Sequence, residues 1–168
     1  MAVAADMQPA ARADPLIGHV VDHYRIEREL GRGGMGVVYL ARHEDEKLAN
    51  SVAAVKTISP HALQDEKARS LFVREAEALG RVTVDGLVRI LNVGQLDNGA
   101  PYILMEYLEG QDLRQRLHQA GRLSPELALS ITRQVAITLA ALHAKNVVHR
   151  DLKPDNIRLL TDPLIREG

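Results

Sequence analysis

His149-Arg150-Asp151-Leu152-Lys153-Pro154-Asp155-Asn156 is the stretch on which the reading of this chain turns. It satisfies H-R-D-L-x-x-x-N at all five specified positions, a spacing hard to meet by chance in a merely polar loop. A long helical pattern precedes it. Ser124-Pro125-Glu126 offers an N-cap hydroxyl, Pro at the first helical position and an acid in the first turn. Leu127, Ile131, Val135, Thr138 and Leu142 then recur along one face. His143 and His149 are spaced poorly for one helix face and have no third ligand nearby, so they read as packing residues rather than metal ligands.

Upstream, residues 24–30 alternate as a strand does, and Gly31-Arg32-Gly33-Gly34-Met35-Gly36 follows, matching G-x-G-x-x-G. The last glycine opens a second strand, 37–41, whereas in a dinucleotide-binding fold it would open a helix. The G-K-[ST] of a P-loop is missing as well. Glycines in such a flap let backbone N–H groups approach phosphate oxygens with no Cβ in the way. A polar loop from 43 to 50 leads to a third strand, 51–58, containing Ala53-Ala54-Val55-Lys56. A lysine in so apolar a strand needs a counter-charge. The helical pattern of 63–82 supplies one: Glu75 lies on the stripe of Leu71, Ala78, Leu79 and Val82, while Glu77 is free to face water. Strands at 87–93 and 102–107 flank the turn Asp97-Asn98-Gly99, and beyond Glu109-Gly110 the chain turns helical. The expected class is α+β, a small antiparallel sheet with one helix followed by a mainly helical part, dividing near residue 108.

Bulk composition restricts the function further. The chain has 168 residues, 26% of them charged, and a formal net charge of −1, which does not favour nucleic-acid or polybasic membrane binding. Four Tyr, one Phe and no Trp make the core aliphatic, and the lack of cysteine excludes thiolate metal sites and fits a cytoplasmic setting. No run approaches the roughly 18 apolar residues of a membrane span. Residues 1–20, rich in Ala, Pro and Asp, read as a disordered leader; 21–108 form the first lobe and 109–168 part of a second.

Together the motifs resemble the protein kinase family, in its bacterial serine/threonine branch, over residues 24–160. Lys153, two residues after Asp151, resembles serine/threonine rather than tyrosine kinases. The resemblance implies the kinase fold, ATP and Mg²⁺ as cofactors, and a protein substrate with a Ser or Thr acceptor, with homodimerisation left open. It implies that Leu30, Val38 and Ala54 cover the adenine and that Gly31, Arg32, Gly33, Gly34, Met35, Gly36 and Val37 form the flap over the phosphates. Lys56, paired with Glu75, would hold the α- and β-phosphates. Met105 would be the gatekeeper, Glu106 and Leu108 the hinge groups on the adenine edge, and Asp112 a ribose contact. Asp151 would accept the proton of the substrate hydroxyl, Lys153 would neutralise the transferring group, and Asn156 would hold one Mg²⁺. Arg150 implies activation by phosphorylation of a downstream loop.

Two departures stand out. Arg158 occupies a place where the family has an apolar residue under the adenine; its stem can serve there with its head in water. The 168 residues also contain no Asp-Phe-Gly, and Asp162, which precedes Pro163, does not substitute for it. The expectation is a truncated catalytic domain with little transfer activity by itself and poor solubility, the alternative being an inactive ATP-binding or partner-binding fragment.

Overall fold

The structure, a computed structural model, describes residues 14–34, 36–48 and 51–161. Six strands form one antiparallel sheet in the order β1-β2-β3-β4-β6-β5: β1 Val20–Val21, β2 Tyr24–Gly33, β3 Gly36–His43, β4 Val52–Ile58, β5 Ile90–Gln95 and β6 Pro101–Glu106. A four-residue helix, α1 Pro60–Leu63, and the longer α2 Glu66–Gly80 separate β4 from β5. The second part holds β7 Gly110–Asp112, α3 Leu113–Ala120, α4 Pro125–Ala144 and β8 Arg158–Leu160, with β7 and β8 paired.

Alternation along the strands sets the core. Ile26, Val37, Tyr39, Ala41, Ala53, Val55, Tyr102 and Leu104 point to one side and pack together, with Leu16 and Leu96 at the margin. β4 is buried on both faces, which explains Ala53 and Ala54 in a strand position that would otherwise favour branched residues. Of the stretch expected to be a leader, residues 1–13 lie outside the described residues. Residues 14–20 instead form a turn and a short strand: the Gly18 amide bonds the Ile26 carbonyl at 2.8 Å, and Ile26 returns a 2.8 Å bond to His19.

The helix expected at 63–82 begins later and faces differently. Asp65 caps α2, accepting from the amides of Lys67 and Ala68, and so ends the preceding turn. The inward residues are Phe72, Val73, Glu75, Ala76 and Leu79, whereas Leu71 and Ala78 are exposed. Strand β5 starts at Ile90 because Gly86, at φ 81°, turns the chain first. α4 begins as expected, with the Ser124 side chain accepting from the Leu127 amide. It buries Ile131 and Leu142 and leaves Leu129 and Ile137 exposed. By length and hydropathy α4 could cross a membrane, the one described helix that could.

Thr138 of α4 joins the two parts, its hydroxyl donating to the Asp85 carbonyl at 2.9 Å. Thr138→Val keeps the shape and removes that donor, so a stability loss of about 1 kcal/mol is expected in urea unfolding. An unchanged midpoint would show that the contact contributes nothing.

Candidate active site

The flap is built by the end of the β2–β3 hairpin, where Gly33 and Gly36 face each other and Arg32 faces Val37. Gly36 is held against β4: a Cβ there would stand 1.8 Å from the Thr57 carbonyl oxygen, so only glycine fits. A Cβ at positions 31, 33 or 34 would meet nothing within 4 Å, so the chain is open on that side of the turn. Met35 lies outside the described residues. Leu30, Val38 and Ala54 are partly or fully buried beside the flap.

Lys56 sits on β4 with Val38 and Ile103 as cross-strand neighbours. Its Nζ lies 5.8 Å from the centre of the Phe72 ring. Burial pushes the ammonium pKa below its ordinary value; Asp151 opposes this most strongly, Lys153 adds to it, and Glu75 opposes it least. Among the described residues Lys56 makes no ion pair, so the pairing expected with Glu75 is here only an attraction through space. The stronger counter-charge, Asp151, comes from the second part of the chain.

Asp151 is presented by a tight turn. Arg150 adopts φ 62°, and the Asp151 amide bonds back to the His149 carbonyl at 2.8 Å. A non-glycine residue in the left-handed region costs on the order of 1 kcal/mol and persists where surrounding contacts hold it. Those contacts are visible. Lys153 Nζ donates to both carboxylate oxygens of Asp151, at 2.9 and 2.8 Å. Asn156 Nδ2 donates to Asp151 Oδ2 at 2.8 Å and to its backbone carbonyl at 2.7 Å. Lys153 thereby holds the carboxyl below the ordinary carboxylate range; burial works against it, and Asn156 and Lys56 add to it. Arg114 on α3 bonds Asp155 at 2.6 Å, and the Leu113 amide bonds the Ile157 carbonyl at 2.9 Å, which fastens the loop to α3.

Met105, half-buried, pairs with Ala54 on one side and Ile90 on the other. Glu106 receives the Arg89 amide on its side chain at 2.7 Å. Leu108 uses its carbonyl to accept from Arg158 Nε at 3.1 Å, and its N–H has no acceptor among the described residues. The head of Arg158 is therefore tied to the linking segment. Asp112 caps α3, its Oδ1 accepting from the Gln115 amide at 2.7 Å. The structure thus brings Lys56 within electrostatic reach of Asp151 and Lys153, and bonds Lys153 and Asn156 to the Asp151 carboxylate.

The sequence pattern of the family described as the protein kinase domain matches residues 24–166. The chain belongs to the protein kinase family. It is 42% identical over 145 residues to the serine/threonine-protein kinase PknD of Mycobacterium tuberculosis, covering 86% of this chain and 21% of PknD. It is 37% identical to the serine/threonine-protein kinase pkn3 of Myxococcus xanthus, over 86% of this chain and 26% of that protein. The crystal structure of the M. tuberculosis PknI kinase domain superposes with a TM-score of 0.74 at 30% identity, covering 86% of this chain and 57% of that one. The chain thus spans about a fifth to a quarter of these curated relatives and just over half of a kinase domain.

ATP with Mg²⁺ is the group this kinase family implies, and the residues fit it. An uncrowded glycine turn, together with a half-buried ammonium and a Leu108 N–H that have no ion-pair or hydrogen-bond partner among the described residues, is complementary to phosphates and a purine edge. The Asn156 side-chain oxygen accepts no hydrogen bond among the described residues, which leaves it for a cation. The spacing of residues does not disclose the Phe72 ring beside Lys56 or the bond of Arg114 to Asp155. Phe72, the chain's only phenylalanine, was the available signal.

Proposed function

We propose that this chain carries the ATP-binding lobe and catalytic loop of a serine/threonine protein kinase, which transfers phosphate from ATP to Ser or Thr hydroxyls of proteins. The observation that carries this reading is the Asp151 carboxylate, held ionised by Lys153 and Asn156 and attracted through space by Lys56 of β4.

Bound ATP supplies the phosphoryl group, and Mg²⁺ offsets its charge. Gly31, Arg32, Gly33, Gly34, Met35 and Gly36, with Val37, form the flap whose N–H groups bind the phosphates, and Lys56 holds the α- and β-phosphates with Glu75 supporting its charge. Leu30, Val38 and Ala54 exclude water above the base, Met105 limits its depth, and backbone groups of Glu106 and Leu108 read its edge. Asp112 keeps Oδ2 for the ribose while Oδ1 caps α3. Asp151 orients the acceptor hydroxyl and takes its proton at a carboxylate oxygen. Lys153 offsets charge on the transferring group, and Asn156 would hold one Mg²⁺. Positioning and charge stabilisation suffice for such a loose transition state.

Titration of ATP with Mg²⁺ into the protein tests the binding half of this proposal. Micromolar binding that Lys56→Met weakens by about tenfold or more supports it, a single lost charge-assisted contact being worth roughly that much. Binding indifferent to Lys56 counts against it. The Lys153 contact gives a further expectation in the complete gene product. Removing the cation that favours the ionised form raises the Asp151 pKa, so the acid limb of kcat/KM moves to higher pH in Lys153→Ala. A limb that stays in place would separate Asp151 from the titrating step.

A further inference from the structure

Asp14 lies outside the site described above, yet it reaches the glycine turn. Its Oδ2 accepts from the Tyr39 hydroxyl at 2.9 Å and from Arg32 Nη2 at 2.6 Å, and its Oδ1 accepts from the Leu16 amide at 3.0 Å. Tyr39, on β3, is 1% exposed, so its hydroxyl must find a partner within the protein, and Asp14 is that partner. Burial first, then this bond, pushes the phenol pKa up to about 12. The segment carrying Asp14 is fastened independently, by the exchange of bonds between 18–19 and Ile26 and by Leu16 against the core. Arg32 is the second residue of the glycine motif, and its guanidinium is shared with Glu29 at 2.7 Å. Most surface ion pairs contribute little because both side chains must be ordered to form them. Here the acceptor is already ordered by a buried hydroxyl and an amide, so only Arg32 has to settle.

We propose that Asp14 is a positioning residue for the nucleotide: held by Tyr39, it fixes Arg32 and thereby sets residues 31–34 of the glycine turn for phosphate binding. The nucleotide part of this inference rests on the function proposed above; the part concerning residues 31–34 does not. Two readouts keep them apart, amide hydrogen exchange at 31–34 and the affinity for ATP with Mg²⁺. Asp14→Asn keeps an acceptor for Tyr39 and removes the charge that holds Arg32. It is expected to speed exchange at 31–34 by about three- to fivefold, the upper end of what one surface charge pair carries. Exchange in β4 and β6 should stay unchanged. The KM for ATP should rise by a similar factor, with kcat at saturating ATP retained, a split that general destabilisation would not produce.

Arg32→Gln should speed exchange at 31–34 equally, and Asp14→Asn should add nothing in the Arg32→Gln background. Unchanged exchange in Asp14→Asn, or a full additional effect in the double variant, overturns the proposal. If Asp14→Asn melts the sheet, Tyr39→Phe, which removes one of the two groups that order the Asp14 carboxylate, must still speed exchange at 31–34, and no rise overturns it. Wild-type protein that binds no ATP would sink the kinase reading, while exchange still decides whether Asp14 sets the turn.

Discussion

Asp151→Asn in the complete gene product is expected to lower kcat by about 10²–10⁴-fold while leaving ATP affinity intact or slightly improved. The rate loss follows from removing the carboxylate that is proposed to take the proton of the acceptor hydroxyl. The affinity follows from charge. Asp151 stands beside Lys153 and attracts Lys56, so neutralising it leaves two ammonium groups less compensated in a site for a polyanion. Steady-state transfer kinetics together with equilibrium ATP binding measure both. A tenfold loss of affinity with kcat unchanged would mean that Asp151 binds nucleotide and does not act on the hydroxyl.

Gly36→Ala is the second large effect, and it is structural. The added methyl would stand 1.8 Å from the Thr57 oxygen and 2.9 Å from its carbonyl carbon, both backbone atoms that cannot rotate away. β3 and β4 must separate at the Gly36–Ile58 pair, which costs up to about 3 kcal/mol by the scale of overpacked interiors. A thermal midpoint lower by up to about 10 °C is expected. Gly33→Ala and Gly34→Ala meet nothing within 4 Å and should melt with the wild type while weakening ATP binding. If Gly36→Ala melted with the wild type and Gly34→Ala did not, the register of the flap on β4 would be wrong.

Much of this was legible in the sequence because the informative features were residue types at fixed spacing. The strand-glycine-strand order, the Ser124 cap and the polar loop ending in Asn156 depend on local chemistry that neighbours do not override. The face of α2 was less legible. The apolar stripe of Leu71, Ala78, Leu79 and Val82 does not by itself say which face meets the sheet, and the structure turns Phe72, Glu75, Ala76 and Leu79 inward while Leu71 and Ala78 stay exposed. The left-handed Arg150 could not be read at all, since no glycine marks it and only the bonds from Lys153 and Asn156 to Asp151 explain its persistence. Nor could the ordering of residues 14–20, whose composition suggests disorder but whose Asp14 satisfies a buried tyrosine. The pairing of Lys56 is the instructive case. Apolar surroundings pointed to a counter-charge, and one exists, yet its larger part comes from Asp151, nearly a hundred residues away in sequence, and its smaller part from Glu75.

The most direct measurement is transfer of the labelled γ-phosphate of ATP by the complete gene product to a generic protein substrate, followed by identification of the phosphorylated residues. The account predicts label on serine and threonine that needs Mg²⁺ and disappears in Lys56→Met and in Asp151→Asn. Label that survives both substitutions, or folded wild-type protein that binds ATP and transfers none of it, would contradict it.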